Sequence, residues 1–173
     1  MKPSLKAKSQ MRASQAFWQT YFKDAEPRLC LLPDWRAESG VSNYSSASVD
    51  LSRELAERLE RMAPGSTYGK FLVLFSGLLL VLRKYMGGEP VMVAVPGKNR
   101  SLPILFRAKA QASFKEVLLA VQENLTRAQA HEAGLEGIPV FEPQILVSCN
   151  MVHGEREQPR YPVAFEMVLG AVP

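Results

Sequence analysis

The sequence predicts a mixed α/β or α+β domain in which one sheet is covered by helices. The first reason is that helix-like and strand-like apolar patterns follow one another in a mixed order along the chain. The second is size and composition, because 173 residues, of which 47% are hydrophobic and 22% charged, suffice for one globular domain with its own core. The chain contains no internal repeat or low-complexity block.

Two helices are predicted in the first part of the chain. Residues 10–24 carry a stripe of apolar and aromatic side chains that ends before a proline. Residues 52–63 have apolar side chains at i, i+4 and i+7, and the Pro-Gly pair that follows them stops the helix.

Two longer helices are predicted in the middle of the chain. Residues 66–85 begin with a serine and a threonine, either of which can cap the helix. Residues 113–130 begin with the S-x-x-E capping box of Ser113 and Glu116. The apolar run at residues 71–82 has about two-thirds of the length that a membrane-spanning helix needs, so we predict a core helix and no membrane span.

Short apolar segments bounded by turn residues are predicted as strands. The segment LCLLP is expected to be extended, and the run PQILVSCNMV is expected to be a buried strand. The predicted strands are residues 46–51, 91–95, 102–108, 143–152 and 163–169.

The charge distribution separates the first residues from the rest. Lysine and arginine exceed aspartate and glutamate by 21 to 17, a formal net charge of +4, and part of the excess lies among Ser, Ala and Gln at the start. We therefore predict a basic, flexible tail at residues 1–13 and a domain at residues 14–173. No helix concentrates the basic residues or interleaves them with aromatic side chains, so nucleic-acid binding is not predicted.

The cysteine content and the first residues favour a cytoplasmic protein. Cys30 and Cys149 lie far apart and lack the CxxC or Cys/His spacing of a zinc site. The start of the sequence lacks the apolar core of a signal peptide. Both features are typical of a reducing compartment, and they predict neither a disulfide framework nor a metal site.

No complete catalytic or phosphate-binding motif occurs in the chain. Residues 96–100, Pro-Gly-Lys-Asn-Arg, lack the first glycine and the hydroxyl residue of G-x-x-x-x-G-K-[ST]. Ser76 lies within an apolar helix, where its hydroxyl can bond to the preceding turn, and not in a G-x-S-x-G elbow. His131 is predicted at an exposed helix end and His153 in a turn. These residue types therefore indicate no catalytic constellation.

The order of the segments carries a family resemblance. Residues 17–35, FWQTYFKDAEPRLCLLPDW, resemble the W-x-x-x-L-x-G-A-P-x-x-L-x-L-P-x-D segment of nonribosomal peptide synthetase condensation domains. Residues 49–100 are similar to the stretch that follows: a helix, a Gly-Ser-Thr cap, a long buried helix, a turn, a strand and a Pro-x-x-x-Arg loop. Residues 113–132 and 143–152 are similar to the next two segments. The resemblance covers nearly the whole chain from about Ser14 onward.

This resemblance implies a single chloramphenicol acetyltransferase-like lobe, the second and C-terminal one of a two-lobed domain. In the family, a donor thioester and an acceptor amine, both on phosphopantetheine arms of carrier proteins, meet in a tunnel between the lobes and form an amide. The family's His-His-x-x-x-Asp-Gly motif belongs to the first lobe and does not occur in this sequence. The resemblance therefore assigns no catalytic residue, metal or cofactor of its own to this chain.

A truncated lobe without that motif is predicted to be noncatalytic. Its expected role in a peptide synthetase is a structural platform or interaction module for the neighbouring adenylation domain, with a carrier protein as a further partner. Such an interface needs apolar anchors within a polar rim. The candidate anchors are Trp18, Tyr21, Phe22 and Trp35, although each of them can equally be buried within this lobe.

Two alternative functions stay open. In the first, which is enzymatic, a His-bearing lobe from elsewhere completes an amide-forming acyltransferase site, and this chain supplies one wall of the tunnel. In the second, the chain is a free-standing protein that binds carrier domains. The acidic helices of the carrier domain then contact the basic tail of this chain. The second alternative predicts an affinity that weakens with salt.

Overall fold

The computed structural model describes residues 5–23, 45–87, 90–109, 111–136, 138, 143–153 and 161–169. Helices and strands alternate in a mixed order within these residues, which confirms the predicted fold class. The elements are α1 (Leu5–Phe22), α2 (Arg53–Met62), α3 (Thr67–Tyr85), β1 (Val91–Pro96), β2 (Ser101–Phe106), α4 (Phe114–Ala130), the 3-10 helix η1 (Glu132–Leu135), β3 (Ile145–Cys149), α5 (Asn150–His153) and β4 (Val163–Met167).

The four strands form one mixed sheet in the order β2-β1-β3-β4. β1 and β2 are antiparallel, in register from Val91 opposite Phe106 to Pro96 opposite Ser101. β3 is parallel to β1, and β4 is parallel to β3. The short turn at residues 97–100 joins the antiparallel strands β1 and β2. Parallel strands need a long crossover, and the chain passes through β2, α4 and η1 before it reaches β3.

Local sequence signals set the ends of α2 and α3. The Ser52 hydroxyl accepts the backbone N–H of Leu55, and the Ser66 hydroxyl accepts that of Gly69 at 2.9 Å. Each serine thereby satisfies a donor that the first turn of a helix leaves unpaired. Gly65, between the two helices, has φ +64°. This left-handed conformation has a low conformational energy only for a residue without a Cβ. Both predicted helices and the break between them are confirmed.

The predicted capping box of α4 is present. The Ser113 hydroxyl accepts the backbone N–H of Glu116. In return, the Glu116 carboxylate accepts the Ser113 hydroxyl at 2.7 Å and the Ser113 backbone N–H at 2.8 Å. These hydrogen bonds favour the ionised carboxyl and hold the pKa of Glu116 below its ordinary value.

α3 and α4 pack on the sheet and form the main core with it. α3 buries Phe71 and Phe75, whose rings stack with centroids 5.3 Å apart, and α4 buries Val121 and Leu125. The strands contribute every second side chain to this cluster, as the alternation of a pleated strand requires. On β1 and β2 these are Val91, Val93, Val95, Leu102, Ile104 and Phe106.

The apolar helix α3 lies in this core. Among the described residues, no single helix is long and apolar enough to cross a membrane; α2 and α3 pass that test only as a pair bent by 114°. Ser76, fully buried on α3, has no hydrogen-bond partner for its hydroxyl within the described part of the chain. The bond to the preceding turn that the sequence predicted is therefore not made.

The structure differs from the prediction in the first residues. α1 begins at Leu5, five residues before the predicted start of this helix at residue 10, so residues 5–13 of the predicted flexible tail are helical. This segment consists mainly of good helix formers: Lys, Ala, Gln, Met and Arg. Because the aromatic residues at 17–22 anchor the C-terminal end of α1, the helix extends readily through this segment.

Two of the predicted strands also differ. Residues 46–51 have no regular structure and are exposed, with Val49 91% accessible. Their serine-rich sequence offers few side chains to bury, and no described strand pairs with them. The strand predicted at residues 143–152 ends at Cys149, where α5 begins. The segment LCLLP, with Cys30, lies outside the described residues.

Candidate functional site

Trp18 lies at the centre of the junction between α1, the end of α4 and η1. Its side chain is fully buried, and Nε1 donates to the carbonyl oxygen of His131 at 2.7 Å. The rings of Phe17 and Tyr21 lie edge-on to the indole at 5.0 and 5.2 Å, and Phe22 stacks on it at 5.5 Å. The indole thus buries its apolar body while its only donor is paired.

His131 connects the end of α4 to α1. Its Nδ1 lies 3.1 Å from the Ser14 hydroxyl oxygen, and its ring stacks on Phe17 with centroids 4.3 Å apart. The Arg127 guanidinium lies 5.1 Å from the centroid of the same Phe17 ring, within reach of a cation–π interaction. The predicted position at a helix end is confirmed, but the imidazole is partly buried by this stack and is not an exposed cap.

Tyr21 and Asn124 form a closed hydrogen-bond ring with the backbone of β2. The Leu105 N–H donates to the Tyr21 hydroxyl at 2.9 Å, and this hydroxyl donates to Asn124 Oδ1 at 2.6 Å. Asn124 Nδ2 donates in turn to the Leu105 carbonyl oxygen at 2.8 Å. Burial raises the pKa of Tyr21 above its ordinary value, so the phenol stays protonated and keeps its donor.

Tyr21→Phe is expected to lower the free energy of unfolding by about 1–3 kcal/mol, because it leaves the Leu105 N–H without its acceptor and Asn124 Oδ1 without its donor. Urea denaturation followed by circular dichroism measures this change. Tyr85→Phe is the matched control, since Tyr85 is 82% exposed and should change stability by less than about 0.5 kcal/mol. Equal values for the two variants would show that the Tyr21 hydroxyl does not stabilise the fold.

Glu132 fills the turn that resembles a phosphate-binding loop. Its carboxylate accepts the backbone N–H groups of Lys98 at 3.1 Å, Asn99 at 2.7 Å and Arg100 at 3.3 Å. Gly97 permits this approach, because a Cβ at this position would lie 2.6 Å from the Arg100 carbonyl oxygen and 3.0 Å from Glu132 Oε1. Successive N–H groups that converge on one anion form a backbone nest, and the anion here belongs to the chain itself.

Sequence reasoning missed Glu132. The sequence shows no complete phosphate-binding motif at residues 96–100, and it does not show which group accepts the backbone N–H groups of this turn. Glu132 lies 32 to 34 residues away from the N–H groups that it accepts. No local spacing rule connects positions so distant, and only the folded arrangement of η1 against the β1–β2 turn reveals the contact.

The four predicted interface anchors lie in different environments. Trp18 is buried in the core, in line with the alternative that these aromatic residues belong to the lobe itself. Tyr21 and Phe22 are half-buried and pack against side chains of β1 and β2. Trp35 lies outside the described residues. An interface role for Tyr21 and Phe22 stays a prediction.

The second histidine also has a structural partner. His153, predicted in a turn, ends the short helix α5, and its Nδ1 accepts the backbone N–H of Cys149 at 2.9 Å. Its ring lies edge-on to Phe71 at 5.1 Å. In the part of the chain that the structure describes, no group of three or more His, Cys, Asp or Glu residues could hold a metal ion.

Solved structures define the class of this fold. The first condensation domain of the CDA synthetase superposes with a TM-score of 0.55 and 22% sequence identity, over 82% of this chain and 35% of that chain. The starter condensation domain of rhizomide synthetase RzmA superposes with a TM-score of 0.51 and 13% identity, over 82% of this chain and 36% of that one. The chain therefore has the chloramphenicol acetyltransferase-like fold of condensation domains and spans about a third of their length.

The sequence identifies the family. The model of the condensation domain family matches residues 2–138, and the chain belongs to this family. It is 26% identical over 133 residues to a linear gramicidin synthase of Brevibacillus parabrevis, and 25% identical over 137 residues to a surfactin synthase of Bacillus subtilis (strain 168). These matches cover 68% and 70% of this chain but only 3% and 4% of the relatives, which are far longer peptide synthetases.

Proposed function

We propose that this chain is a noncatalytic condensation-like module of a peptide synthetase, and that it serves as a structural platform for the neighbouring adenylation domain. One observation carries the proposal. The two described side chains near α1 that are suited to acid–base chemistry, His131 and Glu132, contact other residues of this chain. His131 contacts Ser14 and Phe17, and Glu132 accepts three N–H groups of one turn.

A general base must reach the proton that it removes from the substrate. Glu132 is only 7% exposed and already has hydrogen bonds to both carboxylate oxygens. The Nδ1 atoms of His131 and His153 are engaged with Ser14 and with the Cys149 backbone. These engagements favour a scaffold role over a catalytic one.

The partners that we propose are the adenylation domain and a carrier protein of the same synthetase, with phosphopantetheine on the carrier protein. The relatives are multidomain peptide synthetases, which supports the presence of such neighbours. Within a chain, neighbouring domains meet through interfaces with apolar anchors. The half-buried rings of Tyr21 and Phe22 are the described candidates for this contact.

The platform role is tested by producing the adenylation domain of its own synthetase with and without this chain. We expect the chain to raise the soluble yield of the adenylation domain and its amino-acid-dependent pyrophosphate exchange. We also expect no amide product when the chain alone is mixed with loaded carrier proteins. Equal yield and exchange in both preparations, or amide formation by the chain alone, would contradict the proposal.

A second candidate function is half of an amide-forming site that is completed by a His-bearing lobe. The observation in its favour is that the chain matches only 35% of a solved condensation domain. Mixing the chain with the His-bearing lobe of its synthetase and two loaded carrier proteins should then yield amide product. Product no greater than with the lobe alone would rule this function out.

A further inference from the structure

The turn at residues 96–100 has the geometry of an anion-binding site, although its sequence lacks a complete phosphate-loop motif. Three consecutive backbone N–H groups, those of Lys98, Asn99 and Arg100, converge on the single carboxylate of Glu132. Backbone nests of this kind bind oxyanions, including phosphate. The turn therefore holds an array of donors whose use is not limited to a carboxylate.

The turn also suits an anion in its shape and its charge. The Gly97 N–H donates to the Arg100 carbonyl oxygen at 2.9 Å and closes the turn, and the absence of a Cβ at Gly97 leaves room for the bound oxygen atoms. Lys98 and Arg100 are exposed and carry two positive charges against the single negative charge of Glu132. The electrostatic potential at this turn therefore suits an anion with more than one charge.

Glu132 binds this nest as a tethered ligand. Its carboxylate oxygens accept the three N–H groups at donor–acceptor distances from 2.7 to 3.3 Å, as two oxygens of a phosphate group can. The residue is only 7% exposed, because η1 holds it against the turn. A tethered ligand acts at a high effective concentration, so a free anion must displace it before it can bind.

We propose that residues 97–100 form a binding site for phosphate-class oxyanions, and that Glu132 is a built-in competitor that occupies this site. The site is independent of the platform function proposed above, because all of its contacts lie within this chain. Phosphate bound at the turn would separate Glu132 from it and release η1 from the β1–β2 turn. The contact of Glu132 with the turn is therefore autoinhibitory.

A phosphate titration of the full 173-residue chain, followed by nuclear magnetic resonance of the amides at residues 98–100, tests the proposal. Glu132→Ala removes the tethered carboxylate, so inorganic phosphate should shift these three amides with a Kd at least about tenfold lower than in the natural chain. Glu123→Ala is the matched control, since it removes an exposed carboxylate and changes the net charge equally. It should bind phosphate as weakly as the natural chain does.

A second measurement covers the case in which Glu132→Ala is partly unfolded. A ligand that binds only the folded state raises the midpoint of thermal unfolding, and phosphate at roughly ten times its Kd should raise that of Glu132→Ala by about 3–5 °C more than that of Glu123→Ala. The comparison removes the general stabilisation of proteins by phosphate. Sodium acetate, which supplies a carboxylate, should act in the same direction, and sodium chloride at equal ionic strength should not.

Glu132→Gln replaces the alanine variant if that variant does not fold at all, because glutamine keeps the length of the side chain and removes only its charge. Equal phosphate Kd values in the Glu132 and Glu123 variants, or amide shifts that lie elsewhere than residues 98–100, would show a general attraction of a basic chain for anions and overturn the proposal. Phosphate binding by the natural chain as tight as in Glu132→Ala would also overturn it, because Glu132 would then not compete. The platform function is judged separately, by the yield and exchange activity of the adenylation domain.

Discussion

Gly134→Ala is expected to lower the free energy of unfolding by about 3 kcal/mol or more, at the upper end of overpacking effects, because the added methyl group meets a main chain that cannot rotate away. A Cβ at Gly134 would lie 2.4 Å from the Ser14 carbonyl carbon and 2.7 Å from the Gln15 backbone nitrogen. Both atoms belong to α1. Relieving the clash must shift α1, and with it the buried ring of Trp18.

Gly77→Ala is the matched control for this variant. Gly77 lies within α3, and a Cβ built there has no atom within 4 Å. Since alanine is a better helix former than glycine, this variant should be more stable by about 0.5–1 kcal/mol. Chemical denaturation of both proteins measures the two effects. Loss of less than about 1 kcal/mol in Gly134→Ala would mean that α1 and η1 are not packed as closely as described.

Glu132→Ala is expected to cost about 2–4 kcal/mol of stability, because three backbone N–H groups lose a charged acceptor and water replaces it only in part. The amides of Lys98, Asn99 and Arg100 should then exchange with solvent much faster than in the natural chain, since they donate to this carboxylate. Urea denaturation and nuclear magnetic resonance measure the two effects.

Glu123→Ala serves as the control for the loss of a carboxylate. The Glu123 side chain is 71% exposed, and its oxygen lies 3.8 Å from an Arg127 nitrogen in a surface ion pair. Such a pair contributes less than about 1 kcal/mol. If Glu132→Ala and Glu123→Ala behave alike, or if exchange at residues 98–100 is unchanged, the Glu132 carboxylate does not hold the turn.

Gly134 and Glu132 share a structural role. Gly134 and Glu132 lie in η1, which contacts α1 on one side and the β1–β2 turn on the other. The segment that connects α4 toward β3 therefore holds two distant parts of the chain together.

The sequence by itself determined the elements whose signals are local. The serine or threonine cap at residues 66–67 and the capping box of Ser113 and Glu116 predicted where α3 and α4 begin, because each signal acts within one helical turn. Apolar periodicity predicted α2. The valine-rich strand β1 and the mixed class followed from apolar periodicity. Segment order and motifs also predicted the condensation domain family, which the family match confirms.

Only the tertiary structure decided which side chains meet. Tyr21 bonds Asn124 across 103 positions, and Glu132 reaches residues 98–100 across more than thirty. The α1 extension to Leu5 and the irregular residues 46–51 also depended on packing or its absence. The physical reason is that helix and turn propensities act between neighbours in sequence. Which side chain fills the backbone nest at residues 98–100, or binds the outer edge of β2, depends on the topology that brings distant segments together.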